Sequence, residues 1–307
     1  MKKILFLFIL FLIVDSEVVK SNDKLSFIKN SPIPNKHRLN LLNYSTAALY
    51  PVSMTWLYTQ WYRDYPQRGF HFFNDNSEWL QMDKYAHFFD AYSISKPLTH
   101  LYKWAGYDNR KATLYGCGIA FIFQTTVEVF DGFSSEWGFS PGDLACNTGG
   151  ILLFGAQQLG WKEQRILLKY SFHQTKFSKY RPKLLGSSLP ENILKDYNGL
   201  TSWVCINPAS FMNENSKFPK WLNVAVGFGA DGMTGGDFNP NSVDGIAIPK
   251  FERYRQYYLA FDIELSKIRT RSTFLTGVFK LLNIIHLPLP TLEFSPGRKT
   301  IGRLAYF

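Results

Sequence analysis

Three apolar stretches that each carry polar residues at one helical interval constrain this chain more than any other feature. Asp83, His87 and Asp90 lie in the first, Gln124, Glu128 and Asp131 in the second, and Asp143, Asn147 and Gly150 in the third. The spacing is i, i+4, i+7, which brings each set onto one face of an α-helix. The surroundings are apolar: residues 112–130 contain no Lys or Arg. A buried carboxylate is penalised unless it is paired, hydrogen-bonded or neutralised. The pattern therefore demands helices packed with their polar stripes facing one another.

Helical periodicity predicts four segments, at about 43–62, 83–105, 109–132 and 141–160, separated by turn-rich stretches. The fourth has a clear start, with Ser140 as N-cap, Pro141 at the first helical position and Asp143 three residues after the cap. Its hydropathy lies between that of a core helix and a membrane span, since Gln157 and Gln158 follow the apolar run 151–154. Aromatic residues at segment ends (Trp56, Trp61, Tyr62, Trp104, Tyr107, Trp137, Trp161) suit an interfacial belt. The expected fold class is mainly α: a membrane-associated bundle of about four helices followed by a smaller β-containing C-terminal region.

Beyond residue 200 the period changes to two, at 203–206, 221–228 and 255–268. Leu259, Phe261, Ile263 and Leu265 alternate with Ala260, Asp262, Glu264 and Ser266, which predicts strands with one buried face. The Gly-rich run 227–236 lacks the Gly-Lys-Ser/Thr ending of a phosphate loop and reads as a turn. Residues 273–285 read as a short amphipathic helix. Three or four strands fall short of the eight that a membrane barrel needs. The expected organisation is a signal peptide or N-terminal anchor at 1–21, a linker at 22–42, the bundle with its polar site at 43–183, and a strand-containing region at 184–307.

Lys2 and Lys3 precede an apolar run at 4–14 that Asp15 ends, the layout of a secretory signal. The run is shorter than the roughly 20 residues of a membrane span. Cys117, Cys146 and Cys205 form no CxxC pair, so neither a zinc ribbon nor a disulfide framework is indicated. The net charge of +10 lies almost wholly in residues 160–307, with 20 Lys+Arg against 11 Asp+Glu. Lys162, Arg165, Lys169, Lys176, Lys179, Arg181 and Lys183 cluster against Glu163 alone within 161–183, which reads first as attraction to anionic lipid head groups. Membrane lipid is thus the expected partner. Nucleic acid is not, because the chain is exported and carries no recognition module.

Two chemistries suit the polar stripes. Asp83, Glu128, Asp131 and Asp143, with His87 beside them, are candidate ligands of a divalent cation. Alternatively the site works without metal, with His87 and Glu128 as catalytic acid-base residues and Asp83, Lys84, Asp90, Asp131, Asp143 and Asn147 binding or orienting. Lys84 is placed to pair with a carboxylate. No Ser-His-Asp order is present.

Asp83-Lys84-Tyr85-Ala86-His87, then Glu128 and Asp131, then Trp137-Gly138-Phe139-Ser140-Pro141-Gly142-Asp143 through Asn147-Thr148-Gly149-Gly150 resemble an uncharacterised family of predicted periplasmic lipoproteins. The same skeleton is similar to that of the VanZ-like membrane proteins, known for low-level resistance to the glycopeptide teicoplanin. The resemblance spans roughly residues 45–160 and makes Asp83, Lys84, His87, Glu128, Asp143 and Asn147 signature positions. The chain departs from it in two ways: no lipobox cysteine precedes Cys117, and Asp131 stands where a Gln is usual among VanZ-like proteins. The resemblance implies the envelope of a Gram-negative-type bacterium, periplasmic or membrane-associated. The resulting expectation is an exported envelope protein of unknown activity with a polar site in a helical bundle. The alternatives are an envelope enzyme acting on a lipid or cell-wall precursor, and an outer-membrane structural partner that binds protein through its C-terminal strands.

Overall fold

A computed structural model describes residues 29–213, 215–243 and 245–306. The segment expected to be a signal peptide lies outside the described residues. The bundle comprises α1 (Lys36–Leu57), α2 (Met82–Trp104), α3 (Asn109–Gly132) and α4 (Pro141–Gly160). Asn35, Asp108 and Ser140 cap α1, α3 and α4 through side-chain oxygens that accept backbone N–H bonds. A π-helical turn, Tyr58–Tyr62, ends α1. Helix α2 packs on both α3 and α4 through small residues, with Ala91 and Ala120 fully buried beside Ile151. The approach of α2 to α4 is close because Gly150 lacks a side chain: a Cβ there would stand 2.1 Å from the Phe88 carbonyl oxygen. That contact draws the polar stripes of the two helices together.

The opposite faces are apolar. Leu114, Tyr115, Phe121 and Ile122 of α3 and Leu152 of α4 are exposed. Among the described residues α3 is the one helix long and apolar enough, by length and composition, to cross a membrane.

After α4 the chain enters an antiparallel sheet of six strands in the order β1 (Ile166–Phe172), β2 (Leu200–Ile206), β3 (Leu222–Asp231), β6 (Tyr254–Ile263), β7 (Leu289–Phe294) and β8 (Ile301–Tyr306). A two-stranded ribbon, β4 (Ser242–Val243) and β5 (Ile246–Ala247), lies between β3 and β6. Short helices α5 (Pro182–Leu185) and α6 (Leu189–Lys195) join β1 to β2, and α7 (Thr273–Leu282) lies between β6 and β7. Six strands exceed the three or four that alternation predicted, and β1 falls within the basic stretch read from sequence as a lipid-facing cluster. Lys169 of that stretch is fully buried, 2.7 Å from Asp262. Arg165 pairs with Glu163, and Arg181 donates to the Thr234 carbonyl. These three basic residues are engaged within the fold.

The sheet curls strongly. The free edge of β1 meets the strip just before β7, where the Tyr170 N–H donates to Ile284 O and the His286 N–H donates to Tyr170 O. Inside, Tyr306 of β8 reaches Thr201 of β2 (3.2 Å) and Tyr258 of β6 (2.6 Å). Trp203 fills the centre, stacked 3.8 Å from His286, and Gly227 leaves room for its ring, which a Cβ would approach to 2.7 Å. The Gly-rich run read as a turn therefore begins inside β3.

The polarity of this sheet reverses the expectation. Leu259 and Phe261, predicted to be buried, are 44% and 53% exposed, while the alternating residues Ala260 and Asp262 are enclosed. Lys169, Asn223, Asp262 and Glu264 are sealed within the curl. Asn223 donates to Asp262 (2.9 Å), and Lys169 also donates to the Ile263 carbonyl. The burial of these charges is offset in part by the Lys169–Asp262 pair and by hydrogen bonds from Asn223 to Asp262 and from Asn283 to Glu264.

Candidate acid-base site

Asp83 and Lys84 stand in the first turn of α2, His87 one turn later, Glu128 near the end of α3, and Asp143 with Asn147 in the first turns of α4. Of the three stripes, Asp83, His87, Gln124, Glu128, Asp143 and Asn147 come together at the ends of the helices nearest the 66–81 connection, and Asp90 does not join them. Ser140 Oγ accepts from the Asp143 N–H at 3.1 Å. The Asp143 carboxylate does not complete a capping box; it faces Lys84.

Lys84 Nζ is the centre of charge, 2.6 Å from Asp75 Oδ1, 2.7 Å from Asp143 Oδ1 and 3.1 Å from Asp83 Oδ2. The interaction with these carboxylates outweighs burial and raises the Lys84 ammonium above its ordinary range. Asp83 is held low: burial would raise it, but His87, Lys84 and the Tyr197 hydroxyl, which donates to Oδ1 at 2.5 Å, more than compensate. Asp143 is pushed up to about 8 by burial and by the charge of Asp83, against His87.

His87 links this group to a second one. Its Nδ1 lies 3.3 Å from Glu128 Oε1 and 3.3 Å from Asn147 Oδ1. Asn147 in turn donates to Glu128 Oε1 (3.2 Å) and accepts from Gln124 (2.9 Å). His87 Nε2 faces Asp83 Oδ1 at 3.7 Å and Asp143 Oδ1 at 3.8 Å, beyond hydrogen-bond reach. Burial would lower the imidazole pKa, yet Asp83, Asp143 and Glu128 raise it to about 9. Burial raises Glu128, opposed by His87. The His87 side chain is 19% exposed and that of Glu128 1%, so the ring is the accessible member and Glu128 its buried support.

Asp131 stands apart from Lys84, accepting from the Tyr62 hydroxyl at 2.8 Å. Burial, then the charge of Glu128, pushes it up to about 8. Tyr62 also lines an aromatic cleft of about 180 Å³ with Tyr58, Tyr65, Phe130 and Phe133. Asp90 is exposed and makes no ion pair with the cluster among the described residues. Ligand atoms of Asp83, His87 and Asp143 all lie within 4.8 Å of one another, a grouping that could hold a metal ion.

Sequence reasoning missed Asp75, Tyr62 and Tyr197. Asp75 sits in the connection before α2, where Ser140 Oγ donates to it at 2.6 Å. That connection is shaped by Trp79, Leu80 and Gln81, all with left-handed φ of 49°, 51° and 68°, a conformation that side chains with a Cβ adopt at a cost. Trp79 is fixed by its N–H bond to Gly236 O and its ring contact with Tyr197. Tyr197 arrives from the segment before β2, which no local pattern connects to α2.

No curated protein and no solved structure matches the chain. Residues 70–155, which contain Asp75, Asp83, Lys84, His87, Glu128, Asp131, Asp143 and Asn147, match the model of a family described as predicted periplasmic lipoprotein (DUF2279), a match that implies a location in the Gram-negative envelope and fits an exported protein of unknown activity.

Proposed function

We propose that the chain is a membrane-associated envelope protein whose helical cluster is an acid-base site acting on a lipid or lipid-linked cell-wall precursor. The observation that carries this reading is the placement of His87. One ring nitrogen is fixed by Glu128 and Asn147, and the other is left facing two carboxylates across a gap. An imidazolium so held can give its Nε2 proton to a leaving group of the substrate, and the neutral imidazole then takes a proton back from water or from a protonated Asp143 facing the same nitrogen. Lys84 is the shared cationic partner of Asp75, Asp83 and Asp143, and it fixes the position of Asp83 beside the ring. The exposed apolar faces of α3 and α4 beside the site support a lipid-borne substrate.

The test is to incubate detergent-purified protein with phospholipids and with polyprenyl-phosphate-linked sugars and to follow products by mass spectrometry. Turnover that disappears in His87→Gln and Glu128→Gln, while both variants remain folded at the assay temperature, supports the proposal. Turnover undiminished in His87→Gln, or absent from the unaltered protein across both substrate classes, overturns it.

The grouping of Asp83, His87 and Asp143 favours a second reading, a divalent-cation site with carboxylate and imidazole ligands. Such a cation would share Asp83 and Asp143 with Lys84 and require a neutral His87. Stoichiometric metal that vanishes on chelation and in an Asp83→Asn/Asp143→Asn variant would favour this reading over the first.

A further inference from the structure

We propose that the outer face of the curled C-terminal sheet, together with α7, is a docking surface for an anionic phospholipid bilayer. The surface is built in register. Val226, Leu259 and Leu292 stand opposite one another across β3, β6 and β7, and Val204 of β2, next in the row, packs against Tyr92 and Phe154 of the bundle. A second row runs from Phe228 through Tyr257 to Phe294. Phe261, Leu292, Phe294 and Leu304 are 53%, 45%, 41% and 91% exposed. Charge is turned the other way, into the curl, where Lys169 pairs with Asp262 and Glu293 with Arg303. A sheet with paired charge inside and an apolar exterior has the polarity suited to lipid, not to water.

The same outer face is continuous with the interface to the bundle. At its bundle end Phe228 stacks on Tyr85 (4.9 Å) and Tyr170 packs on Phe89 (5.2 Å). The apolar rows of β3, β6 and β7 carry on past that contact.

Helix α7 adds an independent observation. None of its described side chains is buried, and Phe274, Leu275 and Leu282 are 77%, 42% and 41% exposed. A short helix that contributes apolar residues to no core, but is flanked by basic ones, has the character of an interfacial helix. Arg269, Arg271 and Lys280 are exposed around it. This concentration of positive charge beside exposed apolar residues selects an anionic lipid surface as the occupant. A second copy of the chain would set like charges against each other around any contact centred on α7.

The experiment is flotation of the full chain with vesicles of phosphatidylcholine alone and of phosphatidylcholine mixed with phosphatidylglycerol. Preferential flotation with the mixed vesicles is expected. The Leu259→Ser/Phe261→Ser/Leu292→Ser variant should lower the partition coefficient by about tenfold or more, since each substitution removes a side chain from lipid contact. Phe274→Ser with Leu304→Ser, at two of the most exposed apolar positions, serves as the second variant should the first lower the melting temperature. Flotation of either folded variant equal to that of the unaltered protein overturns the proposal. So does equal flotation with both vesicle types, or self-association without vesicle binding. These readouts are independent of turnover at His87, so failure here leaves the acid-base reading to its own test.

Discussion

Lys84 Nζ and Asp143 Oδ1, on two different helices, lie 2.7 Å apart beneath a third partner, Asp75, supplied by the connection between α1 and α2. One ammonium thereby ties three chain segments together at the mouth of the site. Ser140 and Tyr197 hold Asp75 and Asp83 from the outside, and the ammonium supplies the positive charge between them.

Replacing Lys84 by Met leaves Asp75, Asp83 and Asp143 without their common counter-ion. Removing one partner of an enclosed ion pair costs about 3–5 kcal/mol, and the Lys84 side chain is 10% exposed. Urea unfolding of Lys84→Met should show a loss of that size. Adding Asp83→Asn in the same chain should recover part of it, because Asp83 is the carboxylate held low and its stranded charge is then removed.

Stability should fall as pH rises through neutrality. His87 is raised to about 9, so its favourable contribution is complete below the ordinary imidazole value and is lost as pH climbs through 9. Asp143 and Asp131, raised to about 8, hold protons in the folded state that the unfolded chain has released, and they too lose stability on the way up to 8. Asp83, held low, acts in the opposite sense and loses stability only as pH falls into the acid range. Melting followed from pH 5 to 10 should therefore decline on the alkaline side. In His87→Gln the slope between the two imidazole values should be shallower by about 1.4 kcal/mol per pH unit at most.

Gly150→Ala should separate α2 from α4. The new methyl would stand 2.1 Å from the Phe88 carbonyl oxygen, and backbone cannot yield as a side-chain tip can, so a loss of about 3 kcal/mol or more is expected. Gly118→Ala is the matched control in a helix, with nothing within 4 Å of the added methyl. It should gain about 0.5–1 kcal/mol from helix propensity. Thermal melting of the two variants in parallel checks both signs.

The bundle was legible because helical signals are local: Ser140 and Pro141 announce α4, and a period near four puts Asp83 with His87 and Gln124 with Glu128. The sheet was legible only as alternation. A period of two states that β6 has two unlike faces, but Leu259 and Asp262 alternate identically whichever set is enclosed. The enclosed set was decided by Lys169, which lies 93 positions before Asp262 in the chain and pairs with it inside the curl. Asp75 and Tyr197 were illegible for a related reason. Each reaches the site through tertiary contacts of irregular backbone, with Asp75 carried by three left-handed residues before α2 and Tyr197 anchored against Trp79.

The titration of His87 itself tests the acid-base account most directly. Following the imidazole carbon resonances of the full chain by NMR from pH 5 to 10 should give a midpoint of about 9, falling toward the ordinary imidazole range in Asp83→Asn and in Glu128→Gln. A midpoint at or below the ordinary value, unmoved by either substitution, would contradict the account, because His87 would then not be held as a proton donor by its carboxylate neighbours.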